Sequence, residues 1–204
     1  MKVKIKYILI ILSLLFCFIF VSLSSYANTI SQNLSDNFFR LHIIANSDSE
    51  EDQELKLKVR DNIISYMNSQ NYSDYSKDDV ISCVSENLEE YKRISENTIK
   101  ESGYDYSVNI EIGNYYFPTK VYGNIALPAG NYDALKIELG NAKGQNWWCS
   151  LFPPLCFVDI SSGVIDEDAK NNLKNNLSEE EFAIITNTDT SIKLKFKIIE
   201  ILSK

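Results

Sequence analysis

The stretch Gly103-Tyr104-Asp105-Tyr106-Ser107-Val108-Asn109-Ile110-Glu111-Ile112-Gly113-Asn114 marks a change of period in the chain. Within it Tyr104, Tyr106, Val108, Ile110 and Ile112 alternate with Asp105, Ser107, Asn109 and Glu111, which puts the apolar side chains on one face of a β-strand. Upstream of Gly103 the period is helical. Leu55, Val59, Ile63 and Met67 recur every fourth residue, and Ile81, Val84, Leu88, Tyr91, Ile94 and Thr98 or Ile99 form a second stripe. These spacings predict helices over 50–68 and 78–102, with Gly103 as the left-handed residue that ends the second. Ser49 with Asp52 is close to a capping box ahead of the first helix, and Asp78 with Asp79 opens the second. Gly113-Asn114 predicts a two-residue hairpin turn, with a return strand over 115–122.

Working outward, Phe38 to Ala45 reads as a strand, preceding the capping cluster Asn46 to Asp52. Pro128-Ala129-Gly130 marks a turn, and the strand after it puts Asp133, Leu135, Ile137 and Leu139 on one face. Gly140 to Gly144 form a loop. Residues 166–176 read as a short helix, Ser178 with Glu181 caps another, and Ile192, Leu194, Phe196 and Ile198 alternate with Lys193, Lys195 and Lys197 in a final strand. The order is β, α, α, a β-meander, α, β. The expected class is α+β: a mostly antiparallel sheet with two longer helices packed on it, plus short C-terminal helices.

The N-terminus is a different material. Lys2, Lys4 and Lys6 precede an apolar run from Ile8 to Val21, broken only by Ser13, and then small and polar residues up to Ala27. Residues 1–27 therefore read as a signal peptide, cleaved after Ala27, or as an N-terminal membrane anchor through residues 7–23. In either case the Lys cluster stays cytoplasmic and the rest crosses the membrane. Residues 28–35 form a polar linker, and 36–204 a single exported domain. Removing residues 1–27 takes three of the 20 basic residues and none of the 28 acids, leaving 17 against 28, a net charge of −11. Such a balance excludes a nucleic-acid partner, whose phosphates need Lys and Arg.

The exported part keeps three cysteines. An odd count outside the cytoplasm predicts one bridge and one spare thiol. Cys149 and Cys156 are the candidates for the bridge, being close in sequence, and Cys83 in its helical stripe is a small buried hydrophobe.

No catalytic constellation emerges. His42 is the single histidine, and in a strand between Leu41 and Ile43 it has no second member of a site. The chain has no nucleophile elbow, Walker loop or dinucleotide glycine pattern. Asn46, Asp48, Glu50 and Asp52 alternate like the start of a calcium loop. Glu51 stands where the turn needs Gly, however, and Leu57 where a bidentate Glu is needed, so helix capping accounts for them. Two cysteines and one histidine do not complete a zinc site. No metal and no cofactor is expected. The stretch Asn146-Trp147-Trp148-Cys149-Ser150-Leu151-Phe152-Pro153-Pro154-Leu155-Cys156-Phe157 is the least ordinary, holding both Trp residues and half of the Pro. Its aromatics are either core or interface anchors. The residues alone favour an exported α+β domain that binds over one that catalyses.

Two blocks go further. Arg40-Leu41-His42-Ile43-Ile44-Ala45-Asn46-Ser47-Asp48-Ser49, with Asp52-Gln53 and Leu55 to Asp61, resembles the N-terminal signature of the stage II sporulation protein R family. Phe117-Pro118-Thr119-Lys120, Tyr122-Gly123, Leu127-Pro128-Ala129-Gly130 and the Trp-Trp-Cys and Phe-Pro-Pro-Leu-Cys words of 146–157 resemble its second block. The resemblance spans residues 40–158. It implies a signalling protein of endospore formers, exported across the forespore membrane into the space between two membranes. There such proteins activate a membrane-embedded aspartic protease of the mother cell, which leads to processing of a sigma-factor precursor. It transfers no catalytic residues and no established contact residues. The rival classes are an exported cell-envelope hydrolase and a structural protein of the intermembrane space. The receptor-facing surface is expected at the 146–157 loop together with the 40–52 segment, with Arg40, His42, Trp147, Trp148, Phe152, Pro153 and Pro154 as partner-binding residues.

Overall fold

The computed structural model describes residues 2–70, 72, 75–156 and 167–186. The helical stripe of the first predicted helix forms α2 (Glu50–Ser69), in which Leu55, Val59, Ile63 and Met67 are all buried. Ser49 caps it, its hydroxyl accepting from the Asp52 N–H. The second stripe is split into two helices, α3 (Lys77–Glu86) and α4 (Leu88–Glu101), a correction to the single helix over 78–102. Asn87 breaks it. Its side chain donates to the Cys83 carbonyl and competes with the helical ladder. The true start is Ser76, which forms a full capping box with Asp79. α4 ends at Gly103, whose φ of +86° is the left-handed conformation expected of that position.

Strands β1 (Phe39–Ile44), β2 (Val108–Phe117), β5 (Gly130–Leu139) and β6 (Asn146–Phe152) form one sheet in the order β2-β5-β1-β6. β1 runs parallel to β5, and the other two pairings are antiparallel. This is not the expected meander. β1, buried along nearly its whole length, is wanted in the middle of the sheet and enters between β5 and β6. A separate hairpin of β3 (Lys120–Tyr122) and β4 (Ile125–Leu127) carries the excursion between β2 and β5.

The predicted turn at Gly113-Asn114 is also overturned, because β2 continues through it, with Gly113 opposite Ala134 and Asn114 opposite Asp133. Two facts explain the misreading. The buried face of β2 changes sides there, from Val108 to Tyr115 and Phe117, so the apolar phase slips without a turn. Gly113 meanwhile makes room for a neighbour, since a Cβ there would lie 2.8 Å from the Tyr115 hydroxyl oxygen. Asn114 is held in the ladder by donating to Asp133 Oδ1 at 3.0 Å.

α2 and α4 pack on each other and on one face of this sheet. Tyr91 donates to Met67 Sδ and Asn62 to Thr98 Oγ1 across the pair. The N-terminal helix α1 (Lys2–Asp36) runs on through 28–35, so the polar segment expected between the apolar run and the domain is helical. Its apolar residues from Ile8 to Leu23 are mostly exposed, and it is long and apolar enough to cross a membrane or to serve as a signal sequence. Its last turns dock on the domain: Leu34 is fully buried and Ser31 donates to the Ala129 carbonyl. Two short helices follow the sheet, α5 (Glu167–Asn176) and α6 (Glu179–Thr186), the latter opened by the predicted Ser178–Glu181 box. The class is α+β as expected, and the final strand over 192–198 lies outside the described residues.

Candidate functional site

Strand alternation sends consecutive residues of β1 and β6 to opposite faces. On the helix-covered face stand Phe39, Leu41 and Ile43 of β1, beside Leu135, Ile137 and Leu139 of β5 and Trp147 and Cys149 of β6. Trp147 packs beneath α2, with the Arg60 guanidinium 4.2 Å from its ring centroid. Its buried Nε1 has no hydrogen-bond partner among the described residues.

The other face gathers Arg40 and His42 of β1, Tyr132 and Lys136 of β5, Trp148 and Ser150 of β6, and Phe117 at the end of β2. Arg40 is fully buried. Its guanidinium carbon lies 4.3 Å from the Phe117 ring centroid, 4.9 Å from that of Tyr132 and 5.9 Å from that of Tyr122. Nε donates to the Cys149 carbonyl at 3.2 Å and Nη2 to the Tyr122 hydroxyl at 2.6 Å, and Tyr122 in turn donates to the Trp148 carbonyl. Among the described residues no carboxylate pairs with it. The charge is compensated by the ring faces of Phe117 and Tyr132, contacts worth about 2 kcal/mol when desolvated, and by these charge-assisted bonds, while Nη1 is buried without a hydrogen-bond partner among the described residues. Burial pushes the Tyr122 and Tyr132 hydroxyls well above their ordinary range, so both stay neutral hydrogen-bonding groups beside the cation.

His42 lies one position along the same face. Its ring stacks on Trp148 at 3.7 Å between centroids and meets Phe117 edge-on at 6.0 Å. Burial lowers its pKa, and Lys136 lowers it further against the opposing pull of Asn146 and Glu138. The neutral ring contacts Asn146 Oδ1 through Nε2 at 2.7 Å. With Nε2–H donating, Nδ1 is an acceptor, buried and without a partner among the described residues. A neutral imidazole clamped between Trp148 and Phe117 positions rings. Among the described residues no nucleophile or carboxylate hydrogen-bonds to it, and no His/Cys/Asp/Glu cluster could hold a metal.

Beyond β6 the chain turns sharply. Phe152 and Pro153 are buried and Pro154 is half-buried, Leu155 N–H donates to the Ser150 carbonyl, and Cys149 and Cys156 are joined in a disulfide with Cα atoms 5.1 Å apart. Cys83 is a free, half-buried thiol. Phe157 lies outside the described residues.

The 46–52 segment is tied down locally. Asn46 Nδ2 and Ser47 Oγ both donate to Asp52 Oδ2, at 2.8 and 2.6 Å. Burial opposes ionisation of Asp52, but these bonds outweigh it and hold the carboxyl below its usual range. Asn46 also accepts from the Asn141 N–H, Asp48 from the Gln145 N–H, and Lys56 donates to the Gln145 carbonyl. The segment thus caps α2 and clamps the 140–145 loop. Gly140, at φ +57°, lets that loop approach Asn46 closely.

Of the expected partner-binding residues, the structure brings Arg40, His42 and Trp148 together. Trp147 is on the opposite face, and Phe152, Pro153 and Pro154 lie at the end of β6. Sequence reading missed Phe117, Tyr122 and Tyr132 as members of the cluster. The signal was present: Phe117 and Tyr122 belong to the second sequence block, Arg40 and His42 to the first, and the two blocks meet here.

The chain matches the family model described as stage II sporulation protein R over residues 35–162. It is 42% identical over 130 residues to the stage II sporulation protein R of Bacillus subtilis (strain 168), a match covering 64% of this chain and 58% of that protein. No solved structure matches.

Proposed function

The chain belongs to the stage II sporulation protein R family, and from that premise we propose that it is an exported signal, made in the forespore, that activates a membrane-embedded aspartic protease of the mother cell. The consequence is processing of a sigma-factor precursor. The protein acts by binding: a ligand switches a receptor by preferring its active state, and no proton transfer or nucleophile is required of it.

The observation that carries the reading is the convergence of both family blocks on one cluster, Arg40–Phe117–Tyr122–Trp148, packed to hold rings in place. The apolar start of α1 fits a signal or an anchor, which agrees with delivery across a membrane. The receptor-facing surface is the half-exposed edge of that cluster, Trp148 and its surroundings, with Arg40, His42, Phe152 and Pro153 positioning it from beneath. Pro154, also half-buried, extends that edge, whereas Trp147 lies half-buried on the opposite, helix-covered face.

The test is co-expression of the chain, the receptor protease and its precursor substrate in a host that does not sporulate. Precursor cleavage that needs the receptor protease and is lost with Trp148→Ala at unchanged chain level supports a binding signal. Precursor cleaved by the chain with the receptor protease left out points instead to catalysis.

A further inference from the structure

The Cys149–Cys156 bridge joins the cluster to the turn that follows β6. Cys149 sits in β6 opposite Leu41 of β1, is almost fully buried, and its carbonyl accepts from Arg40. Past it, Ser150 donates to the Phe152 carbonyl, and Phe152 and Leu155 are seated in the core. Among the described residues the backbone bond closing this turn is Leu155 to Ser150. Cys156 is half-buried, the more accessible of the two sulfurs. The rest of the core, α2 and α4 on the sheet, is built without the bridge. The loop it closes is short, so its constraint falls on the turn more than on the whole chain.

We propose that this disulfide is a redox latch on the Arg40–Trp148 cluster. Oxidised, it pins the turn from Ser150 to Cys156 and the cluster is assembled. Reduced, the turn opens while sheet and helices persist. Reduction proceeds through a dithiol: one thiolate attacks Cys156 Sγ, the S–S bond breaks and its electron pair leaves on Cys149 Sγ, which takes a proton. The second thiolate attacks the mixed disulfide, Cys156 leaves as a thiol, and the dithiol departs as a disulfide having lost two electrons. Resting on the proposed signalling role, the consequence is that the chain is silent in the reducing cell that makes it and competent after export, once the reverse exchange with an oxidised dithiol, a disulfide, takes up its two electrons and two protons.

The experiment is amide hydrogen exchange on the full chain in detergent micelles, carrying Cys17→Ser and Cys83→Ser, with and without dithiothreitol. The double variant Cys149→Ser/Cys156→Ser is measured alongside without reductant. Exchange in 149–156 is expected to rise about tenfold or more on reduction, with α2 and β5 unchanged, and the double variant is expected to match the reduced chain and to lose precursor cleavage. Unchanged exchange in 149–156 overturns the latch. So does loss of protection throughout the domain, which makes the bridge a general staple, and so does full signalling by the double variant. If the oxidised chain itself fails to trigger cleavage, the functional reading falls, while the exchange data still decide the latch.

Discussion

The Arg40 guanidinium lies 4.3 Å from the centre of the Phe117 ring, and this contact ties the first sequence block of the family to the second. The cation is buried with aromatic faces and hydroxyl and carbonyl oxygens as its partners. Removing one partner therefore costs more than removing the charge. Tyr122→Phe leaves Nη2 unpaired and is expected to lower stability by about 1–3 kcal/mol. Arg40→Met, of similar volume and uncharged, is expected to melt within about 1 kcal/mol of the parent. Urea denaturation of the two variants checks the order, and a larger loss in Arg40→Met contradicts it.

The two tryptophans separate in the same way. Trp148→Ala removes a stack on His42 and an edge contact with Phe117, each worth about 0.5–1.5 kcal/mol beyond buried area, for a total of about 3 kcal/mol or more. Trp147→Phe keeps the ring under Arg60 and removes an Nε1 that has no partner. It is expected to change stability by less than about 1 kcal/mol. Thermal unfolding of both variants measures the contrast.

Acid should act in two stages. His42 is held neutral, first by burial, so below its ordinary value of 6.5 the unfolded chain takes up a proton that the folded one refuses. Its contribution is present above that value and is lost as pH falls towards the folded value. Asp52 has a folded pKa below its ordinary 3.8, so its contribution is present above 3.8 and is lost only as pH falls through the lower folded value. Urea midpoints from about pH 8 to about pH 3 should show both slopes, the first absent in His42→Gln and the second in Asp52→Asn.

The 46–52 clamp gives a backbone test. Gly140→Ala forces an L side chain to φ +57° and drives its Cβ into a steric clash with Asn46 Oδ1. A loss of about 1–2 kcal/mol follows from the left-handed conformation alone, and hydrogen exchange should localise it to the 140–145 loop and the start of α2.

Much of this fold could be read from local pattern. The α2 stripe, the Ser49 cap, the stop at Gly103 and the face shared by Leu135, Ile137 and Leu139 each follow from spacing within one element. What could not be read depends on partners distant in sequence. β1 is central because both of its faces are covered, which its six residues express only as a run of apolar and amphipathic side chains. Gly113-Asn114 imitates a hairpin because its glycine serves a neighbouring tyrosine. Arg40 and His42 were singled out on family resemblance, yet the rings that hold them, Phe117, Tyr122 and Tyr132, reach them only through the sheet register. The Cys149–Cys156 pairing was legible because the loop is short.

The most direct measurement adds the purified, oxidised full chain to vesicles containing the receptor protease and its precursor substrate, and follows cleavage against the ratio of chain to protease. A binding signal predicts no cleavage without the chain and a response that saturates near one chain per protease. Precursor cleaved in the absence of the protease, or full cleavage at ratios far below one, contradicts the account.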